Sequence, residues 1–124
     1  MTEELEKYVL SHSAPEGDYL YRLYRATNIH TIHGRMASGH LQGRLLKMFV
    51  EMIRPKNILE VGTFSGYSAI CMAEGLAEIA KSTEVHANGA SAASAAEGND
   101  KEAGVSKVWT FEINDEMEDF TRPW

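Results

Sequence analysis

The first part of the chain has the apolar spacing of helices. Residues 2–11 carry apolar side chains at helical spacing after a first turn rich in acids, and this pattern predicts a helix. Ser13 followed by Glu16 fits a capping box, so a second helix is expected over about 15–26. The segment 28–40 has no clear period and contains two glycines, which predicts a loop.

A third helix is predicted over the run HLQGRLLKMFVEMIRP. Its apolar side chains recur at intervals of three and four residues, as on one face of a helix. Pro55 ends the run, because proline has no backbone N–H and clashes with a continuing helix. The predicted apolar face consists of Leu41, Leu45, Met48, Phe49 and Met52.

A strand, a glycine turn and a fourth helix follow. The segment NILEV is short, apolar and bounded by Pro55 and Gly62, which is the pattern of a strand buried on both faces of a parallel sheet. The segment GYSAICMAEGLAEIA returns to helical spacing. A second strand is predicted in KVWTFEI at 107–113, and the acids after it predict a final helix with an Asn or Asp cap.

The segment 81–106 differs in composition from its surroundings. It consists mainly of Ala, Ser, Gly, Asn and charged residues, with almost no large apolar group to bury. We expect a mobile loop there, inserted between the fourth helix and the second strand, with a start that is able to extend the helix. Such a connection lies away from the ligand edge of a sheet and lengthens at small entropic cost.

The composition limits the chain to one acidic domain. A length of 124 residues with 44% hydrophobic content suits one compact unit. The net charge of −6 disfavours nucleic acid as a partner and leaves small ligands open. Cys71 is the single cysteine, so we expect no internal disulfide and a cytoplasmic location. No apolar run reaches the roughly 18 residues of a membrane-spanning helix, and we expect no membrane association.

The glycine turn has the chemistry of an anion site. A strand that delivers a turn to a helix N-terminus leaves backbone N–H groups pointing at one spot, where a carboxylate or phosphate is favoured. Gly62 lets a ligand approach the backbone, Gly66 permits the tight turn, and Ser68 offers a hydroxyl. The spacing departs from the dinucleotide fingerprint G-x-G-x-x-G, so a pyrophosphate fits less well.

Glu112 ends the second strand and is a candidate for binding a ribose. A carboxylate beside the first turn can accept both hydroxyls of a ribose, normally about 20 residues after the glycines. Glu112 lies 50 positions after Gly62, which becomes ordinary if 81–106 is an insertion. The alternative is a solvated strand end. His30 and His33 have no Cys or carboxylate cluster near them in sequence, so a polar loop is preferred to a metal site.

These segments resemble class I S-adenosylmethionine-dependent O-methyltransferases of the catechol and caffeoyl-CoA type. ILEVGTFSGYSAICMAEGL and VWTFEIND are similar to the first two ligand-binding motifs of that family, and RMASGHLQGRLLKMFVEMIRP is similar to the segment before them. The resemblance covers about 35–76 and 108–121, and residues 1–34 look like the helical N-terminal extension of bacterial members.

The resemblance implies an α/β, Rossmann-like methyltransferase fold. Residues 1–124 would form a single incomplete domain, the N-terminal portion, in which 35–124 bind the cofactor S-adenosylmethionine (SAM). By the resemblance, Met36 and Ser38 border the methionine part of SAM and Ser68 binds its carboxylate.

The same resemblance places the nucleoside of SAM at the second motif. Glu60 and the backbone of Gly62 and Thr63 would line the cofactor turn, and Glu112 would take the ribose diol. Family members of this type bind a divalent metal such as Mg²⁺ through residues of later strands, which this chain does not reach. We therefore assign no catalytic residue and no metal ligand here.

The implied activity is transfer of a methyl group from SAM to a hydroxyl of a small phenolic or catechol-like acceptor, with a hydroxylated tRNA base as a second possibility. Two strands leave apolar faces and edges uncovered, so either a longer enzyme or a homodimer is expected. The alternatives are a non-catalytic module that binds the cofactor or dimerises, and an NAD-dependent oxidoreductase, for which the middle glycine is missing.

Overall fold

The structure is a computed structural model and describes residues 2–89 and 106–124. Two N-terminal helices come first, and the predicted order of helix, strand, helix, strand and helix follows them. In chain order the elements are α1 (Glu3–Ser11), α2 (Asp18–His30), a 3-10 turn (Gly34–Met36), α3 (Gly39–Ile53), β1 (Asn57–Val61), α4 (Tyr67–Gly89), β2 (Lys107–Phe111) and α5 (Glu116–Thr121).

The predicted capping box is wrong. The Ser13 hydroxyl donates to the carbonyl of Val9, and so belongs to the end of α1. The carboxylate of Glu16 accepts a hydrogen bond from the Tyr67 hydroxyl. Helix α2 therefore begins at Asp18, later than predicted, and its last residues occupy part of the predicted loop 28–40.

Helix α3 is present as predicted, but its buried face differs from the predicted one. Gly43 and Val50 are buried, because α4 packs along that side. A Cβ on Gly43 would lie 2.6 Å from Cys71 Sγ, so the two helices approach closely there. Four residues of the predicted apolar face are exposed: Leu45, Met48, Phe49 and Met52.

The two strands run parallel and lie side by side. In the register of the sheet, Ile58 lies opposite Val108 and Glu60 opposite Thr110. Side chains alternate between the two faces of a strand, so these four residues share one face. Ile58 and Val108 on this face pack against a core cluster of α3 and α4.

The other face of the sheet is exposed in the described structure. Four of its residues are large and apolar and the other two are Asn57 and Lys107, so the prediction that NILEV is buried on both faces is wrong for the residues described. Neither α3 nor α4 covers that face, since both lie on the opposite side. The exposed residues are Leu59, Val61, Trp109 and Phe111.

The first turns of α4 are fixed by a second core cluster. Tyr67 and Cys71 on α4 are buried against Leu20 and Leu23 of α2. Burial raises the pKa of the Tyr67 phenol, and the hydrogen bond to Glu16 raises it further. The N-terminus of α4 is therefore held in place at the end of β1, where the glycine turn lies.

The segment 81–106 is described only in part. Helix α4 continues through its first residues to Gly89, as the sequence allowed. Residues 90–105, where a mobile loop was expected, lie outside the described residues.

Candidate functional site

The glycine turn lies at the carboxyl edge of both strands. Gly62 and Gly66 adopt left-handed backbone angles, with φ of +96° and +80°, which glycine tolerates without strain. The amides of Gly62 and Thr63 both donate to the carbonyl of Phe111, at 2.9 and 3.1 Å. The turn is therefore tied directly to the end of β2.

Phe64, in the middle of the turn, has a strained backbone. Its φ is +48°, a left-handed conformation that costs a non-glycine residue about 1–2 kcal/mol. Its amide donates to Glu112 Oε2 at 2.6 Å. Left-handed conformations of this kind occur where surrounding contacts enforce them, often at binding sites.

Glu112 is held by backbone amides rather than by a basic side chain. Besides Phe64, the amides of Ile113 and Asn114 donate to its Oε1 at 2.9 Å each. The amides of Asn114 and Phe64 contribute most to lowering the pKa of this carboxyl below its ordinary value of 4.5. Glu112 is thus a fixed, ionised acceptor beside the turn.

Glu60 is the centre of a second group of hydrogen bonds. Its Oε1 accepts from the Ser68 hydroxyl at 2.5 Å, and its Oε2 accepts from the Thr110 hydroxyl at 2.6 Å. The hydroxyl of Thr63 lies 2.5 Å from that of Thr110. This network joins β1, the turn, α4 and β2.

A cavity of about 340 Å³ lies between the turn and the start of α5. Thr63 and Phe64 of the turn share its wall with Glu112, Ile113 and residues that follow them. Ile113, the residue after Glu112, is fully exposed. The cavity therefore has a charged acceptor and an apolar surface.

The structure brings five of the seven predicted site residues together and leaves two apart. Glu60, Thr63 and Ser68 belong to one network, which Thr110 connects to the strand that Glu112 follows. Gly62, next to Thr63, donates its amide to the carbonyl of the last residue of that strand. Among the described residues, Met36 and Ser38 do not line the cavity beside Glu112. Met36 is exposed in the 3-10 turn, and Ser38 precedes α3.

Two polar residues of the site have no motif that marks them in the sequence. Thr110 reaches Glu60 only because the register places them opposite each other, and register is not readable from one strand. Ser65 is buried, and its hydroxyl is the buried side-chain polar atom without a partner within the described part of the chain. The even spacing from Thr110 to Glu112 was an available signal, since residues two apart share a face.

The described residues do not supply a metal site. They contain no group of three or more His, Cys, Asp and Glu side chains that could hold a metal ion. The divalent metal implied by the resemblance therefore has no set of ligands in the described structure, and we derive no chemistry through it.

A family model described as O-methyltransferase matches residues 10–121. The chain belongs to the O-methyltransferase family. A similar curated member is a caffeoyl-CoA O-methyltransferase from Stellaria longipes, which is 31% identical over 118 residues. That match covers 94% of this chain and 48% of the relative, so the chain spans about half the length of this family member.

Solved structures of methyltransferases share the fold. The SAH-bound methyltransferase PaMTH1 of Podospora anserina matches with a TM-score of 0.66 at 23% identity, over 99% of this chain and 44% of that one. An O-methyltransferase from Bacillus cereus in complex with SAH matches with a TM-score of 0.65 at 22% identity, over 97% and 42%. The prediction of a Rossmann-like methyltransferase fold, represented by its N-terminal portion, is confirmed.

Proposed function

We propose that this chain binds SAM and serves a SAM-dependent O-methyltransferase that acts on a small phenolic or catechol-like hydroxyl. The observation that carries the proposal is the cavity shared by the Glu112 carboxylate and the glycine turn. Membership of the O-methyltransferase family supports the reaction class. The names of the relative and the solved structures support caffeoyl-CoA as a related acceptor type and SAH as a related ligand.

The chemistry of the residues fits the two ends of SAM. The first amides of α4, at Tyr67, Ser68 and Ala69, have no acceptor one turn earlier in the helix. They would receive the carboxylate of the methionine part, which the helix N-terminus favours. No ion pair joins Glu60 to a basic side chain in the described residues. Its negative charge would therefore be available to the ammonium group of the methionine part.

Glu112 would bind the ribose. A carboxylate has about four acceptor positions, and three amides use three of them. One hydroxyl of the ribose diol would therefore donate to the remaining position, and the other would displace one of the amides. The exposed Ile113 would offer an apolar surface beside the nucleoside.

When bound, SAM supplies a methyl group on a cationic sulfur, and its transfer to the acceptor hydroxyl forms a C–O bond, breaks the C–S bond, releases the hydroxyl proton and leaves S-adenosylhomocysteine (SAH). The residues described here would contribute binding and orientation to this reaction. The net charge of −6 favours a small-molecule acceptor over a hydroxylated tRNA base.

Calorimetry with the 124-residue chain tests the proposal. SAM and SAH should bind and NAD should not, because the turn lacks the spacing of a dinucleotide site. Glu112→Gln should weaken the binding of SAH by about tenfold or more, as expected when a charged acceptor becomes neutral. Binding of NAD in preference to SAH, or equal SAH affinity of both proteins, would contradict the assignment.

We also propose that the chain forms a homodimer in a reducing, cytoplasmic compartment. The exposed apolar face of the sheet supports association with a second copy, and the free Cys71 thiol supports the compartment. No described helix is long and apolar enough to cross a membrane. Sedimentation velocity at increasing protein concentration tests the dimer, and a mass that stays at one chain would exclude it.

A further inference from the structure

The hydroxyl of Thr110 occupies the middle of the hydrogen-bond network around Glu60. It lies 2.6 Å from Glu60 Oε2 and 2.5 Å from the hydroxyl of Thr63. Thr110 is the member of this network that comes from β2, and Glu112 follows two residues later on the same strand end. It therefore connects the strand that carries the predicted ribose acceptor to the network at the start of α4.

The directions of the hydrogen bonds follow from the number of protons. A hydroxyl has one proton and two lone pairs. The Thr110 proton goes to the Glu60 carboxylate, which accepts only, so Thr63 must donate to Thr110. Ser68 also donates to Glu60, at the other carboxylate oxygen. Both oxygens of Glu60 thus have a fixed donor, and one of these donors is Thr110.

We propose that Thr110 is a positioning residue for the amino-acid end of bound SAM, an inference that rests on the proposed function. It would not contact the ligand. Its hydroxyl holds the Glu60 carboxylate in one orientation, and this carboxylate in turn orients Ser68 in the first turn of α4. Without the Thr110 hydroxyl, Glu60 loses one of its two donors and Thr63 loses its acceptor. These side chains would then become ordered only when the ligand binds, which costs binding free energy.

The location of this network predicts an effect on one end of the ligand. Ser68 and Glu60 face the N-terminus of α4, where the methionine carboxylate and ammonium would lie, whereas Glu112 would hold the ribose. SAH has both ends. 5′-Methylthioadenosine has the nucleoside and the sulfur but lacks the amino-acid group. Comparing the two ligands therefore separates positioning of the amino-acid end from a general effect on the fold.

The experiment measures the affinity of both ligands by calorimetry for the 124-residue chain, Thr110→Val and Thr110→Ser. Valine keeps the shape and β-branching of threonine in an exposed strand position and removes the hydroxyl. Thr110→Val should bind SAH about tenfold more weakly, the loss expected of one hydrogen bond to a charged group, and should bind methylthioadenosine as before. Thr110→Ser keeps the hydroxyl and should bind both ligands within about twofold of the original chain.

Several outcomes would overturn the inference, and they differ from one another. Unchanged SAH affinity in Thr110→Val would show that the hydroxyl does not position the site. Equal weakening of both ligands, with a lower Tm, would show a merely structural role. If the original chain bound methylthioadenosine and SAH equally well, the amino-acid end would have no site here. If it bound neither, the proposed function itself would fail, and this inference with it.

Discussion

The three amides that donate to Glu112 make a pH-dependent contribution to stability. They lower the pKa of the carboxyl in the folded chain below 4.5, so the folded state favours the ionised form. This stabilisation is fully present above the unfolded pKa and is lost as the pH falls through the folded pKa. Glu112→Gln should therefore have a lower Tm than the original chain at pH 7, and the difference should shrink below about pH 4.5.

A matched variant separates these hydrogen bonds from the loss of one charge. Asp119→Asn removes the same charge from exposed α5, close to Glu112 in sequence. Melting curves between about pH 3 and pH 7 should show the shrinking difference for Glu112→Gln and not for Asp119→Asn. A difference for Glu112→Gln that is as large at pH 3 as at pH 7 would contradict the role of the amides.

Two serines of the same turn should respond in opposite directions to replacement by alanine. The buried Ser65 hydroxyl has no partner in the described structure, and such a group costs about 1–3 kcal/mol. The Ser68 hydroxyl donates to Glu60. Ser65→Ala should raise the free energy of unfolding by about 1 kcal/mol and Ser68→Ala should lower it by about 1 kcal/mol, as measured by urea denaturation. A loss of stability in Ser65→Ala would indicate that its hydroxyl is satisfied in solution.

The contact between α3 and α4 depends on a residue without a side chain. A Cβ on Gly43 would lie 2.6 Å from Cys71 Sγ and 2.9 Å from the Tyr67 ring, and both residues are buried. Overpacking costs about 1–3 kcal/mol, and the gain in helix propensity offsets about 1 kcal/mol of it. Gly43→Ala should therefore lower the free energy of unfolding by up to about 2 kcal/mol in urea denaturation.

Gly17 provides the control for this variant. A Cβ there would meet nothing within 4 Å. Gly17 is the N-cap of α2, so Gly17→Ala should lower the free energy of unfolding by about 0.5–1 kcal/mol through the weaker cap, with no packing contact changed. A Gly43→Ala variant as stable as the original chain would show that α3 and α4 have room to separate.

The apolar periods predicted the helices and strands, because each element reports its own spacing. They did not predict which side of α3 is buried, since Leu45 and Phe49 match the helical pattern as well as Val50 does. The choice depends on the close approach at Gly43, which involves α4. Similarly, Ser13 and Glu16 fit a capping box, yet their side chains form hydrogen bonds with residues of α1 and α4 instead.

In the candidate site, too, the sequence predicted residues with local signals and missed those defined by contacts between segments. The glycine turn, Ser68 and Glu112 carry local signals, and the sequence predicted them as binding residues. Their ligand roles stay predictions. The network through Thr110 depends on the register between β1 and β2, and the hydrogen bond from Phe64 to Glu112 depends on how the turn folds against β2. Neither arrangement is specified by a single segment of sequence.

For the molecule as a whole, the main feature is that helices cover one face of the sheet and leave the other exposed in the described structure. Helices α3 and α4 lie on the face that carries Ile58 and Val108. The opposite face leaves Leu59 at 68% and Trp109 at 53% exposure in the described structure. Contiguous apolar surface of this kind marks a site of association. The chain spans about half of its relatives, so both a longer enzyme and a second copy can provide the cover.

A charge on this face tests association between copies. Leu59→Lys places an ammonium on the apolar surface beside Trp109, where burial against a partner would desolvate it at high cost. Ile32→Lys is the control, because Ile32 is 96% exposed and lies in the connection after α2, outside both strands. In sedimentation velocity, the original chain and Ile32→Lys should increase in mass with concentration, whereas Leu59→Lys should stay at one chain over at least a tenfold wider range. Equal association of all three proteins would place the interface elsewhere, for example on the exposed residues of α3.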